Sequence, residues 1–210
     1  MSLRDLGGFG TDISSQRRDD LDRLALDRIG DSPSCRALDL CCGNGSMFME
    51  FLKRGAASTA IDLVFPSIDP ESLSEDFLFE IIVEDVRTLA FPKLAPFDLV
   101  LWQRALHYFP YAEAGSLLRK VREWMMPGGT LCVSASGLGS ELGIGYPAKR
   151  SGLDTRFAPL SPEMREKHRI MKPVCLYSEE DLRMILEATG FRVERIFLSP
   201  FGNVKGVAVA

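Results

Sequence analysis

Long apolar runs, paired cysteines and an excess of positive charge are all missing from this chain of 210 residues, and each absence removes a class of function. No stretch approaches the ~20 consecutive apolar residues that a membrane-spanning helix needs. The amino terminus carries Arg4, Asp5 and Asp12 and lacks the apolar core of a signal peptide, so the expected location is cytoplasmic. Five cysteines stand at 35, 41, 42, 132 and 175 with no Cys-x-x-Cys spacing. They read as reduced core residues, which argues against a disulfide scaffold and against a cysteine-held metal. A net charge of −4 leaves no electrostatic footprint for nonspecific duplex binding, so nucleic acid is not the expected partner.

What is present is the composition of one globular domain, with 46% hydrophobic and 26% charged residues in a chain long enough for a sizeable core. Strand-like segments at 36–42, 58–63, 79–84, 97–102, 130–135, 192–199 and 204–209 alternate with helix-like ones. Such alternation specifies an α/β fold, a doubly wound and mostly parallel sheet of seven strands with helices on both faces. Only a few residues, including Pro200, Gly202 and Asn203, separate the last two strands, so these form an antiparallel hairpin. Before the fifth strand, Ala114, Leu117, Leu118, Val121 and Met125 keep one helix face apolar until Pro127-Gly128-Gly129. In the last helix Ser178 and Asp181 form a capping box, Leu182, Ile185, Leu186 and Thr189 point inward, and Gly190 is the stop. Residues 1–34 read as a helical cap, with an amphipathic helix at 16–30 after Gly7-Gly8-Phe9-Gly10, and residues 35–210 as the main domain.

The most informative segment is Ala37-Leu38-Asp39-Leu40-Cys41-Cys42-Gly43-Asn44-Gly45-Ser46, an apolar strand that runs through a glycine turn into a helix. Ligands of open α/β sheets bind at such strand ends. A dinucleotide site wants Gly-x-Gly-x-x-Gly, but Phe48 stands at the third glycine position, where its bulk opposes close helix-to-strand packing beside a pyrophosphate. The pattern acidic-x-Gly-x-Gly-x-Gly is met by Asp39, Gly43 and Gly45, with Cys41 at the first glycine position. A cysteine there implies a backbone that need not be in a glycine-only conformation.

This segment resembles the first motif of the class I S-adenosylmethionine-dependent methyltransferases, and the resemblance runs from about residue 36 to the end of the chain. It implies a Rossmann-like methyltransferase fold and S-adenosyl-L-methionine as cofactor, with S-adenosyl-L-homocysteine as product. It also implies a cofactor site at Asp39, Gly43, Asn44, Gly45, Asp62, Leu63, Asp85, Val86, Trp102 and Gln103. Asp62, 23 residues after Asp39, would accept hydrogen bonds from both ribose hydroxyls. Asp85 would accept from the adenine amino group beside the Val86 amide, with Leu63 and Val86 sandwiching the purine. Glu84 is the rival carboxylate, but strand alternation turns one of the two away. Trp102 and Gln103 would meet the methionine part, while Asp39 orders the loop or reaches the methionine amine through water.

Past the fourth strand, His107 and Tyr108 would border the acceptor, with His107 as the candidate base if the acceptor must lose a proton and His168 in reserve. Methyl transfer from a sulfonium otherwise needs mainly a held nucleophile and a site closed to water. Residues 137–177 break the alternation with five glycines, four prolines and a helix around 161–169. A connection this long reads as a substrate lid. Its charges, +3 in balance, are either a solvated face or a seat for an anionic group of the acceptor, with Tyr146 and Arg150 as candidate substrate residues. No metal-ligand cluster, Asn/Asp-Pro-Pro-aromatic segment or Pro-Cys nucleophile occurs, so a small-molecule acceptor methylated on oxygen, nitrogen, sulfur or carbon is the first reading. An RNA or protein methyltransferase landing on the basic lid is the second. A cofactor-binding module without catalysis is the third, and a hydride-transferring enzyme the last. Oligomeric state is not legible.

Overall fold

A computed structural model describes residues 8–10, 18–30 and 34–210. Gly7, Gln16 and Arg17 therefore lie outside the described residues, as do Arg4, Asp5 and Asp12. The elements run α1 (Asp20–Ile29), β1 (Arg36–Leu40), α2 (Ser46–Lys53), β2 (Ala57–Asp62), β3 (Phe79–Val83), β4 (Phe97–Trp102), α3 (Tyr111–Glu123), β5 (Met125–Ala135), α4 (Pro162–His168), α5 (Glu179–Ala188), β6 (Arg192–Leu198) and β7 (Val204–Val209). They build one sheet in the order β3-β2-β1-β4-β5-β7-β6. Strands β1 to β5 are parallel, and β7 runs antiparallel to both β5 and β6. Order reverses between β1 and β4, which opens a crevice at the strand ends.

Alternation along each strand divides the core between two faces. Leu38, Leu40, Val100, Trp102, Leu131 and Val133 meet Leu117, Leu118 and Val121 of α3 and Leu182, Ile185 and Leu186 of α5. On the opposite face Ala37, Leu99, Leu101, Cys132 and Val207 meet Leu21, Ala25, Leu26 and Ile29 of α1 and Met47 and Phe51 of α2. Each fully buried leucine or isoleucine of α1 contributes about 1.5–3 kcal/mol, so the helix is a structural wall of the domain. It begins at an Asp19–Asp22 capping box, and α5 at the one formed by Ser178 and Asp181.

Two features go beyond the sequence reading. Helix α3 ends at Glu123, before Pro127-Gly128-Gly129, because Met125 already pairs with Phe97 and the three residues form an irregular first part of β5. The 137–177 segment holds its own small core of Leu142, Tyr146, Ala148, Leu160, Met164, Ile170, Val174 and Leu176. Its two ends close on one another through a bridge between Gly137 and Tyr177. The Arg156 guanidinium, buried and paired with Asp181 while donating to the Leu176 carbonyl at 3.1 Å, ties this body to α5.

Candidate functional site

At the carboxyl ends of the parallel strands lies a cleft of about 1520 Å³. Typical small-ligand pockets are ~300–1,000 Å³, so this one has room for two molecules side by side. Its β1–β3 end is built by the glycine turn. Cys41, the first residue past β1, lies in the left-handed region at φ 57°, followed by Gly43 at φ 59° and Gly45 at φ 78°. The first position of the motif thus needs the glycine-like conformation after all, and a cysteine holds it at a cost of ~1–2 kcal/mol. Desolvation of this part-buried residue pushes its thiol up, so it stays protonated, with Asp62 adding to the effect.

The turn is fastened from two sides. Asp62 at the end of β2 accepts from the Gly43 N–H at 2.8 Å, and the Ile61 carbonyl accepts from the Cys42 N–H at 3.1 Å. Gly45, the N-cap of α2, has no side chain with which to cap, and buried Asp39 of β1 takes that role by accepting from the Phe48 N–H at 3.0 Å. Asp39 thus orders the turn. Phe48 is fully buried and its ring meets Phe79 edge-on at 6.2 Å, so the third glycine position is filled by helix-to-sheet packing.

Asp39, Gly43, Asp62, Leu63, Asp85 and Val86 all line the cleft, whereas Asn44 and Gly45 do not. Those two border a separate hollow beside Ile68 and Asp69, and a Cβ on Gly45 would come within 2.8 Å of Ile68 and 3.0 Å of Pro66. Space at Gly45 serves the neighbouring loop rather than a ligand in the cleft. Both oxygens of Asp85 accept from the Arg87 Nε at 2.9 Å, and that hydrogen bond holds the carboxyl below its usual range. Arg87 therefore takes up the acceptor capacity that an adenine amino group would use. Glu84 and Asp85 both face the cleft, because β3 stops at Val83 and alternation ends before either residue.

The other end of the cleft gathers around β4, β5 and β7. Trp102 is fully buried, packs against Phe109 at 5.9 Å and does not reach the cleft, which corrects its expected ligand role. Gln103 does reach it, and its Nε2 donates to Asp19 Oδ1 at 2.9 Å. His107 follows in a short 3-10 turn, with a pKa brought down to about 3 by burial. Its Nδ1 accepts from the Ser136 N–H at 3.3 Å, so the proton belongs on Nε2, 3.4 Å from the Ser136 hydroxyl. The imidazole is thus a neutral donor, against the base role expected of it. Tyr108 lines the cleft and donates its hydroxyl to the Phe9 carbonyl. Residues 8–10 are in turn bound to the lid, with Gly10 N donating to Arg169 O at 3.2 Å and Met171 N to Gly8 O at 2.8 Å.

Tyr146 and Arg150 are not in the cleft. The Tyr146 hydroxyl is buried against the backbone carbonyls of Arg156 and Val174, fastening the lid internally, and Arg150 is exposed on its outside. The lid reaches the cleft instead with Ser140, Glu141, Leu142, His168 and Ile170. Missing from the sequence reading are Asp19, Asp20, Arg104 and Lys205. Lys205 of β7 is 2% exposed and pairs with Asp19 at 2.8 Å and with Asp20. Burial pushes the Asp19 carboxyl up, but the hydrogen bond and charge of Lys205 outweigh it and leave the group below its usual range. A lysine at the first turn of a hairpin strand carries no local signal that it will meet a helix 185 residues away.

Comparison with known proteins agrees with this architecture. Residues 37–129 match the family model of a methyltransferase domain. Over 105 residues the chain is 30% identical to the ubiquinone biosynthesis O-methyltransferase of Xanthomonas campestris pv. campestris (strain B100), a match covering 49% of this chain and 43% of that protein. The chain thus spans less than half the length of that relative. Among solved structures, the Pyrococcus horikoshii OT3 protein PH0226 superposes with a TM-score of 0.67 at 18% identity, covering 97% of this chain and 96% of that one. The Burkholderia thailandensis 1,6-didemethyltoxoflavin-N1-methyltransferase, solved with 1,6-didemethyltoxoflavin and S-adenosylhomocysteine, gives 0.65 at 18% identity over 93% of this chain and 80% of its own. With the sheet order and the acidic-glycine turn between β1 and α2, the match identifies residues 37–129 as a methyltransferase domain within a Rossmann-like methyltransferase fold.

Proposed function

We propose that this protein transfers a methyl group from S-adenosylmethionine to a small-molecule acceptor. The observation that carries the reading is one continuous cleft, large enough for two ligands, with the strand-end residues Asp62, Leu63 and Val86 at one end and a part-enclosed polar and aromatic pocket at the other. The donor set fits the cofactor. Asp62 offers carboxylate oxygens for a ribose diol, half-exposed Leu63 and buried Val86 offer apolar surfaces for a purine, and Gly43 lets main chain approach without a Cβ.

When bound, the cofactor supplies an electrophilic methyl on a sulfonium, and the residues of the chain have the work of binding, orientation and exclusion of water. Residues 8–10, the lid and the start of α1 roof the cleft. The Ser136 hydroxyl, beside the Nε2–H of neutral His107, presents a donor to an acceptor's oxygen or nitrogen, and Tyr108 and Phe109 present aromatic surface. An acceptor that already carries a nucleophilic lone pair suits this wall, because no group there is tuned as a base. That the similar proteins named above include an O-methyltransferase of ubiquinone biosynthesis and an N1-methyltransferase of a small heterocycle supports a small acceptor.

Titration calorimetry with S-adenosylhomocysteine tests the reading. Wild type should bind, and Asp62→Ala should bind at least about tenfold more weakly, the equivalent of losing charge-assisted hydrogen bonds of roughly 1.5–3 kcal/mol. Circular dichroism of the variant checks that the turn held by Asp62 still folds. Equal affinity in the two proteins would remove the ribose role from Asp62, and no binding by wild type would remove the cofactor.

A further inference from the structure

Arg104 stands in the wall of the cleft at the β4 end, half-buried, with its backbone in the left-handed region at φ 55°. That conformation is costly for an arginine, and it is held by the Ser134 hydroxyl, which accepts from the Arg104 N–H at 2.9 Å. Nη2 donates to Gln103 Oε1 at 2.9 Å. A guanidinium carries five N–H donors, yet no carboxylate of the described residues pairs with this one within 4.0 Å.

The nearby carboxylate of Asp19 is already engaged by other donors. Its Oδ1 accepts from Leu21 N at 2.9 Å, Asp22 N at 3.2 Å and Gln103 Nε2 at 2.9 Å, while Oδ2 receives Lys205 Nζ at 2.8 Å. Three donors thus share Oδ1 and the Lys205 ammonium takes Oδ2. Lys205, Asp19 and Gln103 therefore form a chain that ends at Arg104, whose charge the Asp19 and Asp22 carboxylates feel from beyond salt-bridge distance. Arg150 and its exposed neighbours in the lid, the cations that the sequence suggests for an anionic ligand, stand outside the cleft.

We propose that Arg104 reads an oxyanion, a carboxylate or phosphate, on the methyl acceptor, with Gln103, Asp19 and Lys205 as the residues that position it. This rests on the function proposed above and adds the acceptor's chemical class. Planar guanidinium matches such groups with paired donors, and the wall beside it offers the aromatic surface of Tyr108 and Phe109 to the rest of the molecule.

The test uses protein saturated with S-adenosylhomocysteine and two probes of the same shape, benzoate and benzamide, followed by ligand-observed NMR. Benzoate should bind at least about tenfold more tightly than benzamide, the ratio expected of a charge-assisted pair. Arg104→Gln should erase that difference and leave the affinity for S-adenosylhomocysteine unchanged, while Arg104→Lys should keep part of it. If Arg104→Gln does not fold, Arg104→Gly removes the cation and suits the left-handed backbone. Equal binding of the two probes by wild type, or no binding of either, would overturn the proposal. So would a variant that loses S-adenosylhomocysteine and keeps benzoate, because the cation would then serve the cofactor. Failure of wild type to bind S-adenosylhomocysteine at all speaks against the methyltransferase reading and is registered separately, before any probe is added.

Discussion

Replacing Asp39 with alanine should destabilise the protein by about 2 kcal/mol, although the residue sits on a strand and the damage falls on a helix. Helix α2 starts at Gly45, which contributes no capping side chain, and the Phe48 N–H finds its acceptor in Asp39 at 3.0 Å. Loss of a cap of this kind costs ~0.5–2 kcal/mol, typically ~1. Removing a negative charge from the positive end of the helix adds ~0.3–1 kcal/mol, toward the upper value because Asp39 is buried and little screened. Asp39→Asn keeps an acceptor and loses the charge, so it should cost only about 0.5–1 kcal/mol. At this chain length 1 kcal/mol moves Tm by roughly 2–4 °C, so the alanine variant should melt about 4–8 °C lower and the asparagine variant about 1–4 °C lower. Urea unfolding followed by far-ultraviolet circular dichroism measures both with one instrument, and an unchanged slope shows that the unfolded state is not the cause. Alanine within 0.5 kcal/mol of wild type would refute the cap. Asparagine as damaging as alanine would assign the whole effect to charge and none to the hydrogen bond.

His107 predicts a pH dependence. Its folded pKa of about 3 lies below the unfolded value near 6.5, so the unfolded chain takes up a proton that the folded one refuses. Stability from this residue is complete above pH 6.5 and is lost as pH falls toward 3, about 2 kcal/mol of it by pH 5. His107→Gln should flatten that slope in urea titrations at pH 7.5 and 5, and a slope that survives assigns the effect elsewhere. Arg156→Met should leave Asp181 buried without its cation and cost about 3–5 kcal/mol, with cleavage between 137 and 177 appearing first in limited proteolysis. Cleavage no faster than in wild type would mean that the lid is held by its own core alone.

Legibility of the sequence follows the range of the interaction. Strands, the α5 cap and the glycine turn depend on neighbours within a few residues, and six of the seven strand boundaries from pattern alone fall within one or two residues of those observed; β5 starts five residues early because Met125 pairs with Phe97. Asp39 and Asp62 were legible as strand-end carboxylates, but their hydrogen bonds to the turn depend on where α2 and β2 return in space. Glu84 and Asp85 misled because alternation was carried past the last paired residue of β3. Tyr146 and Arg150 misled because the lid folds on its own core, which sends one inward to backbone and the other out to solvent. Lys205 with Asp19 and Asp20 was out of reach for the opposite reason. Each residue alone is an ordinary surface charge, and only the packing of α1 across the sheet buries the lysine.

The separate core of residues 137–177 has a consequence for how this protein can change. Most apolar contacts of the lid are made within it, while Cys175 and Tyr177 at its carboxyl end pack into the sheet core. Substitutions at Ser140, Leu142, His168 or Ile170 thus alter the shape offered at the cleft while leaving the strands and the turn at Gly43 undisturbed. On the proposed function, acceptor range is the variable half of the enzyme and cofactor use the inherited half. A library confined to the lid should yield folded proteins with new acceptors at far higher frequency than one spread over the strand ends.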